Sequence, residues 1–574
     1  MSWVFGALGK NGNRVDSEYL KSLHTKPLYN ISTESIYIAA GGNKYTCFYG
    51  DLNLDWNWIV CGIGLDIKNG TTRVFSSIEW SKVFSNDTLR TRNINGHFAA
   101  IKWSKNVISL YTDILGLRDF YLAQTEKFIY FSTRIDLIAK VESADIDLNT
   151  FGSRWLLFNQ LSDDSILTNI LRVNHGKSVL IKNGNFRINQ PEQFLVQNSV
   201  QTDSESTFDS TMRSLINVDS TNNKYIFALS GGLDSRLILS YLLKYQSGNF
   251  KTITFGNKTQ ADAIVAQKMA DEIGFEHEII YSDLPSIDKL VSDIEDAVIS
   301  WQVTNPVSAI LNLRDYLQFE ESELIIDGGF GEIWRSEFLK RLKFYSKKHI
   351  IRKNYEQIIN FLRYNHADIF SVEANESMEK GAVNDLEKLI SISPDHEVIG
   401  FDNWIDTIAL NIRLPNFYGP EQNRIDNFVI SFMPFVQPEL LKNLYMLNIN
   451  LRKNGILLGR MIKNNYPQLA EFPLVKGELT YPFFLSTFQT RVWCKLKSFY
   501  STDTRKKDVI LLLNKMKDYV MDIINSESVK HYQHYDYVKV RKLAEKFYSG
   551  NHKSVNQLDW FLSFEIFRRN ISRN

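Results

Sequence analysis

Six consecutive residues carry the clearest chemistry in the chain: Ser230-Gly231-Gly232-Leu233-Asp234-Ser235. Two adjacent glycines permit a sharp turn and a close backbone approach to a ligand. Ser230 and Ser235 add hydroxyl donors. If a helix starts here, its first N–H groups are unpaired and lie at the positive end of its dipole, which makes a cradle for phosphate oxygens. Asp234 would repel a bare anion, but it fits a cradle in which Mg²⁺ bridges its carboxylate and a polyphosphate. No GxxxxGK[ST] pattern occurs, so this is not a P-loop. A second Gly-rich turn, Asp327-Gly328-Gly329-Phe330-Gly331-Glu332, ends in an acid and would open toward the same sheet edge.

Those turns need strands before them and helices after them. Residues 225–229 (YIFAL) form a continuous apolar run, as in a buried parallel strand, and 235–245 carries a helical stripe of Leu237, Ile238, Tyr241 and Leu242. Residues 252–255 and 323–326 read as further buried strands, with a helix over 262–273. This alternation predicts a doubly wound parallel sheet. The first half differs. Short β-branched and aromatic runs at 37–40, 58–62, 98–103, 107–111, 128–132 and 178–181, punctuated by Asn and Gly, predict a β-rich domain. Composition shifts to Gln, Ser, Asn, Asp and Thr over 190–206. The fold class is thus α/β and α+β, with domains at 1–200 and 201–574. From about residue 406 the chain reads as mostly amphipathic helix, including 538–547 and 558–567. Residues 373–382 read as an exposed loop or helix face. The basic run 340–353 reads as a solvated helix face or a patch for an acidic or peptide substrate.

Composition excludes several classes. The chain has 574 residues with 66 Lys+Arg against 65 Asp+Glu, a net charge of +1. No global field would hold it on nucleic acid or an anionic membrane. No apolar run of about 18 residues suggests a span, and the first residues lack the pattern of a secretory signal, so the cytoplasm is the expected address. Cys47, Cys61 and Cys494 lack CxxC spacing, which argues against a disulfide framework or thiolate metal site. His97, His175 and His277 stand apart from other ligand types and read as structural.

At residues 230–235 the chain resembles the ATP-pyrophosphatase enzymes with an SGGxDS loop and, within them, the asparagine synthetases. The resemblance extends over nearly the whole chain. Asn95-Gly96-His97-Phe98-Ala99, residues 113–118 and Phe131-Ser132-Thr133 look like closing strands of the family's glutaminase-type domain. Residues 252–256 look like its adenine-contacting strand end, followed by Asp262 and Ala266. Met433-Pro434-Phe435-Val436-Gln437 resembles its VPFLD segment, and Lys476-Gly477 with Pro482 a late conserved-type stretch of the family. The resemblance implies that Ser230, Gly231, Gly232, Asp234, Ser235 and Gly328 hold the ATP pyrophosphate, that Leu229 and Gly256 line the adenine pocket, and that Asp234 and Glu332 bind Mg²⁺. Lys476 would stabilise charge near the α-phosphate. Gly329 stands where several relatives have a residue beside the acceptor, so the general base is not obvious; Glu421 and Tyr418 are candidates.

Glutamine-hydrolysing members begin Met-Cys-Gly-Ile, whereas this sequence reads Met1-Ser2-Trp3-Val4. A Ser hydroxyl is a weaker nucleophile than a partly ionised thiol. The first domain is therefore expected to be a degenerate, inactive glutaminase-type domain that packs, docks or shapes a substrate path. Cys61-Gly62-Ile63 lies inside a strand run and reads as structural. The implied function is ATP-dependent amide formation: a small-molecule or peptide carboxylate is adenylated with release of PPi, then attacked by an amine or ammonia. Three substrates stay open: aspartate with ammonia or glutamine, a substrate's own amine (as in β-lactam and lasso-peptide synthetases), and a sugar acid. A catalytically inactive nucleotide-binding scaffold is the alternative of another class. Neither nucleic acid nor membrane is an expected partner; a partner protein or homo-oligomer is left open.

Overall fold

Alternating apolar residues in the first 190 positions build two antiparallel sheets packed face to face. One runs in the order Leu171–Val173, Phe120–Gln124, Phe128–Ser132, Trp3–Gly9, Ile36–Gly41, Tyr29–Ser32. The other runs Asn185–Asn189, Ser178–Lys182, Val107–Thr112, Asn95–Ser104, Trp56–Lys68, Cys47–Asn53, with Thr71–Val74 also on Trp56–Lys68. The period of two is plain in Trp3–Gly9: Val4 and Leu8 join the cluster between the sheets, while Trp3, Phe5 and Ala7 face a second, helical core. Cys47 and Cys61 lie opposite each other in register and are free, buried thiols. The computed structural model describes residues 2–571 except 24–26, 54–55, 86–92, 106, 191–203, 220–224, 247, 365 and 498–503. The boundary expected at residue 200 lies outside the described residues.

The expected parallel sheet is present, with five strands in the order His277–Ile280, Phe250–Phe255, Tyr225–Ala228, Leu324–Asp327, Ile430–Phe432. Both faces are buried: Ile226, Ile253 and Ile325 lie on one, Phe227, Ile326 and Phe432 on the other. That is why these strands read as continuous apolar runs. Helices Leu233–Tyr245 and Ala261–Ile273 are the crossovers. The outer strands His277–Ile280 and Ile430–Phe432 were not expected from sequence; His277 and Glu278 in one and Ser431 in the other interrupt the apolar run that marks a buried strand.

The C-terminal part is mainly helical, including Tyr537–Tyr548 and Val555–Ile571. It also carries the small hairpin Leu474–Lys476 with Leu479–Tyr481. The stretch 373–382 is not a loop: it belongs to helix Val372–Ile392, whose Ala374, Met378 and Ala382 are buried. They share a hydrophobic core with Phe151 and Trp155 of helix Leu148–Leu156, so one face of this helix joins the two halves of the chain, while Glu373, Glu376, Glu379 and Lys380 form the exposed helix face expected. The basic run 340–353 folds as helices Lys340–Tyr345 and Lys347–Ile351.

A buried polar network also ties the sandwich to the parallel-sheet half. Asp426 takes His97 Nε2 at 2.9 Å and the guanidinium of Arg118 on the same oxygen, Oδ2. Gln422 Nε2 donates to its Oδ1 at 3.3 Å. Arg118 also donates to the Ser2 carbonyl at 2.9 Å, and the Ser2 hydroxyl bonds Thr46. Gly96 N donates to Gln437 Oε1 at 2.7 Å, and Asn95 Oδ1 accepts from Glu439 N at 2.9 Å. The Asn95-Gly96-His97 motif is thus a docking edge. Burial alone would raise the Asp426 carboxyl, but His97 and Arg118 hold it below the usual range.

Candidate active site

The loop 230–235 follows the central strand Tyr225–Ala228 at its carboxyl end, the place where open parallel sheets bind ligands. Helix Leu233–Tyr245 starts two residues earlier than the apolar stripe suggested, so Asp234 and Ser235 lie in its first turn. The loop is held by its own groups. Ser230 Oγ and Ser235 Oγ are 2.8 Å apart, and Ser235 Oγ donates to the Ser230 carbonyl at 2.9 Å. Gly231 N donates to Asp262 Oδ1 at 2.7 Å. Gly231 has no room for a side chain: a Cβ there would stand 2.2 Å from Val475 Cγ2. Val475 N in turn donates to the Gly231 carbonyl at 3.0 Å. The hairpin bearing Lys476 is therefore clamped onto the loop.

Arg236, the residue after the motif, makes that clamp. It is fully buried, and its guanidinium donates to the carbonyls of Phe472 at 2.6 Å, Pro473 at 2.7 Å, Leu469 at 3.2 Å and Gly231 at 3.3 Å. Burial lowers its pKa to about 10. Sequence reasoning missed it, because four carbonyl acceptors leave no charge partner to find. Lys476 itself is exposed at the end of Leu474–Lys476. Its charge, with that of Arg491, acts on Lys340, which burial already pushes down and which pairs with Glu337.

The second Gly-rich turn meets the first. Gly331 lies so close to Asp234 that a Cβ would stand 2.5 Å from the Asp234 Cβ. Phe330 beside it adopts a left-handed φ of 63° while fully buried against Phe338 and Tyr418. Such a conformation costs about 1 kcal/mol or more and persists because packing fixes it. The turn then becomes the short helix Gly331–Arg335, which aims Arg335 at Asp234. Arg335 Nε donates to Asp234 Oδ1 at 2.8 Å and Nη2 to Oδ2 at 2.6 Å. Burial pushes the Asp234 carboxyl up to about 6 against the pull of Arg335, and Glu332 and Glu337 push the same way.

That pairing bears directly on the expected metal. Asp234 and Glu332 do come near enough for their charges to interact. Both Asp234 oxygens, however, are engaged by the Arg335 fork. As they stand, these residues do not fit a Mg²⁺ site on Asp234. Arg335 carried no signal in the sequence, since it lies 101 residues from its partner.

Glu421 and Tyr418 are brought to the same place. A π-helical stretch, Ala409–Tyr418, runs into helix Gly419–Ile425 and delivers both toward Asp327 and Glu332, whose charges act on Tyr418. Such irregular turns are common at functional sites. Glu421 lines a cavity of ≈ 610 Å³ together with Gly256, Gln260, Tyr316, Phe417 and Arg424. The volume is that of a small-molecule site. A larger cavity of ≈ 860 Å³, bordered by Asp163, His175, Asp385 and Lys388, is lined by neither Gly256 nor Glu421. Leu229 is buried, and its N–H donates to the Ile253 carbonyl, so it backs the strand end carrying Gly256. Gly328 touches Ser235 across the two turns. Of the three histidines, His97 and His175 face Asp426 and Asp163, and His277 bonds Thr252 at 2.8 Å.

Asp327 opens the second Gly-rich turn. It ends strand Leu324–Asp327 and accepts from Gly329 N at 2.9 Å. Burial, then the charge of Glu421, raises it to about 6. A folded pKa above the ordinary value means that the folded state holds its proton more tightly, so stability falls as pH rises from about 4 to about 6. Asp327→Asn should remove that penalty, roughly 1–3 kcal/mol after allowance for partial exposure. We expect a melting temperature a few degrees above wild type at pH 7.5 and a clearly smaller gain at pH 4.5. Destabilisation at pH 7.5 would mean the carboxylate is needed for the fold.

Comparison with known proteins agrees with this geometry in one stretch. No curated protein matches the chain. Among solved structures, one described as the allosteric regulatory enzyme of purine biosynthesis is 9% identical with a TM-score of 0.22, over 49% of this chain and 76% of that one. Glutamine phosphoribosylpyrophosphate amidotransferase from B. subtilis, complexed with ADP and GMP, is 9% identical with a TM-score of 0.20, over 62% and 72%. Residues 220–307, which hold the loop 230–235, the strand end at Gly256 and Asp262, match the family model for asparagine synthase. By that match this stretch of the parallel-sheet half, the first Gly-rich turn included, is similar to the asparagine synthase family.

Proposed function

We propose that the chain is an ATP-dependent carbon–nitrogen ligase that adenylates a carboxylate and passes the acyl group to an amine or ammonia. One observation carries the reading: two Gly-rich turns meet at the carboxyl ends of adjacent parallel strands, and the first of them lies within residues 220–307, which match asparagine synthase. In the first step a carboxylate oxygen attacks the α-phosphorus, the bond to the bridging oxygen of the β-phosphate breaks, and PPi leaves. In the second, the nitrogen attacks the acyl carbon, AMP leaves, and the nitrogen gives up a proton. Loop 230–235 binds the polyphosphate, and Leu229 and Gly256 border the base. Lys476 neutralises charge growing at the α-phosphate. Asp327 or Glu421 takes the proton; an acid near 6, such as Asp327, is mostly ionised at neutral pH and can accept it. The cavity beside Glu421 receives the carboxylate substrate, a small molecule or a peptide end. A lactam or macrolactam arises if the amine belongs to the same molecule.

The test is PPi release from ATP in the presence of a panel of amino acids, amine-bearing acids, peptides and sugar acids. At least one acid should raise the rate well above background. Lys476→Ala should cut it by about 10²-fold or more. Release that no acid stimulates, with ATP still bound, favours the scaffold reading. That second reading draws its support from the Arg335 clamp on Asp234.

The nitrogen should not come from glutamine. Ser2 is fully buried, with its hydroxyl on Thr46 and its carbonyl on Arg118, so that hydroxyl does not face a substrate. Incubation with glutamine, with or without ATP, should give no glutamate. Glutamate production that vanishes in Ser2→Ala would overturn this view of the sandwich.

A further inference from the structure

The disagreement at Asp234 points to a device of its own. A carboxylate beside a polyphosphate needs a cation between them, and a divalent ion is the usual answer. Here a guanidinium already stands there. Arg335 is mostly buried and fixed by a bidentate fork on Asp234, at 2.8 and 2.6 Å. Its Nη1 lies 4.0 Å from Glu337 Oε2, beyond hydrogen-bond reach, so the fork spends only part of its five donors on Asp234. Glu332 also acts on its charge. Lys340 pairs with Glu337, and Lys476 and Arg491 face Lys340. Of the acids around the loop, Asp234 and Glu337 are thus paired with cations of the chain itself. Guanidinium is the side chain best shaped for phosphate oxygens, and it keeps its charge at any physiological pH.

We propose that Arg335 is the resident counter-cation of the phosphate loop: it neutralises Asp234 and offers its remaining N–H groups to the nucleotide's phosphates, so that the loop takes ATP without a metal ion on Asp234. The inference rests on the nucleotide-binding reading of loop 230–235 and concerns only what balances the charge there. It explains why Asp234 can persist beside a phosphate cradle. It also explains the local design of the second turn, in which Phe330 is held left-handed and Gly331 has no room for a side chain. Both serve to bring the helix Gly331–Arg335 onto Asp234.

The experiment is a titration with a fluorescent ATP analogue, once with Mg²⁺ and once with EDTA, on wild type, Arg335→Ala and Arg335→Lys. Wild-type affinity should change by less than about threefold between the two conditions. Arg335→Ala should lose about tenfold or more in EDTA and regain part of it with Mg²⁺, because Asp234 and Glu332 are then free to ligate. Arg335→Lys should fall between, keeping the charge but not the fork. The variants' circular dichroism checks that they fold, and the wild-type arm needs no variant. A wild-type affinity that drops tenfold or more in EDTA overturns the inference while leaving nucleotide binding intact. Absence of binding in both conditions overturns the nucleotide reading itself, and this inference with it.

Discussion

Asp426→Ala should destabilise the protein by roughly 3–5 kcal/mol, because removing one partner of a buried ion pair strands the others. Asp426 has no solvent exposure and is the carboxylate that both Arg118 and His97 bond. The loss would fall on the seam between the sandwich and the parallel-sheet half, so the two should melt less cooperatively. Differential scanning calorimetry reads both effects. Arg118→Ala alone should cost a similar amount. The double variant should cost clearly less than the two singles added, since the stranded charge is then gone. The sign with pH follows from the depressed carboxyl: the contribution is present above the ordinary Asp pKa and is lost as pH falls through the lower folded value. A single variant that melts within about a degree of wild type would show that the seam does not depend on this pair.

Gly231→Ala should abolish nucleotide binding and with it any ATP-dependent activity, by about 10²-fold or more, while sparing the fold of the sandwich. The added Cβ would stand 2.2 Å from Val475 Cγ2 and 2.8 Å from Val475 Cβ. The loop, or the hairpin with Lys476, must move by more than an ångström. Val475→Ala removes the obstructing methyl carbons, so Gly231→Ala/Val475→Ala should recover part of the lost binding. Calorimetric titration with ATP would register both. If Gly231→Ala binds ATP as wild type does, the hairpin is not clamped on the loop in solution.

The sequence made the central strand legible because Tyr225–Ala228 is buried on both faces and so reads as an unbroken apolar run. The loop after it was legible because its residue types have few other uses together. The third strand was expected at 323–326 and is found at Leu324–Asp327; the shift matters, since it puts Asp327 at the strand's end, facing the site. What escaped was every contact that chain distance hides. Arg335 with Asp234, and Asp426 with Arg118, are pairs 101 and 308 residues apart, and no periodicity links them. Arg236 escaped for another reason: its partners are carbonyls, which every residue has. The motif Asn95-Gly96-His97 was noticed as a family-like segment. Its contribution here, docking onto Gln437, Glu439 and Asp426, depends on surfaces that only the folded chain brings together.

The identity of the nucleotide product tests the central claim most directly. A ligase that adenylates a carboxylate breaks ATP between the α- and β-phosphates, whereas a phosphorylating ligase or a simple ATPase breaks it between β and γ. Purified protein with ATP, Mg²⁺ and the acid that best stimulates turnover should yield AMP and PPi in equal amounts, with one new amide bond for each AMP. ADP and inorganic phosphate as the products, unchanged by Asp234→Ala or Lys476→Ala, would contradict it.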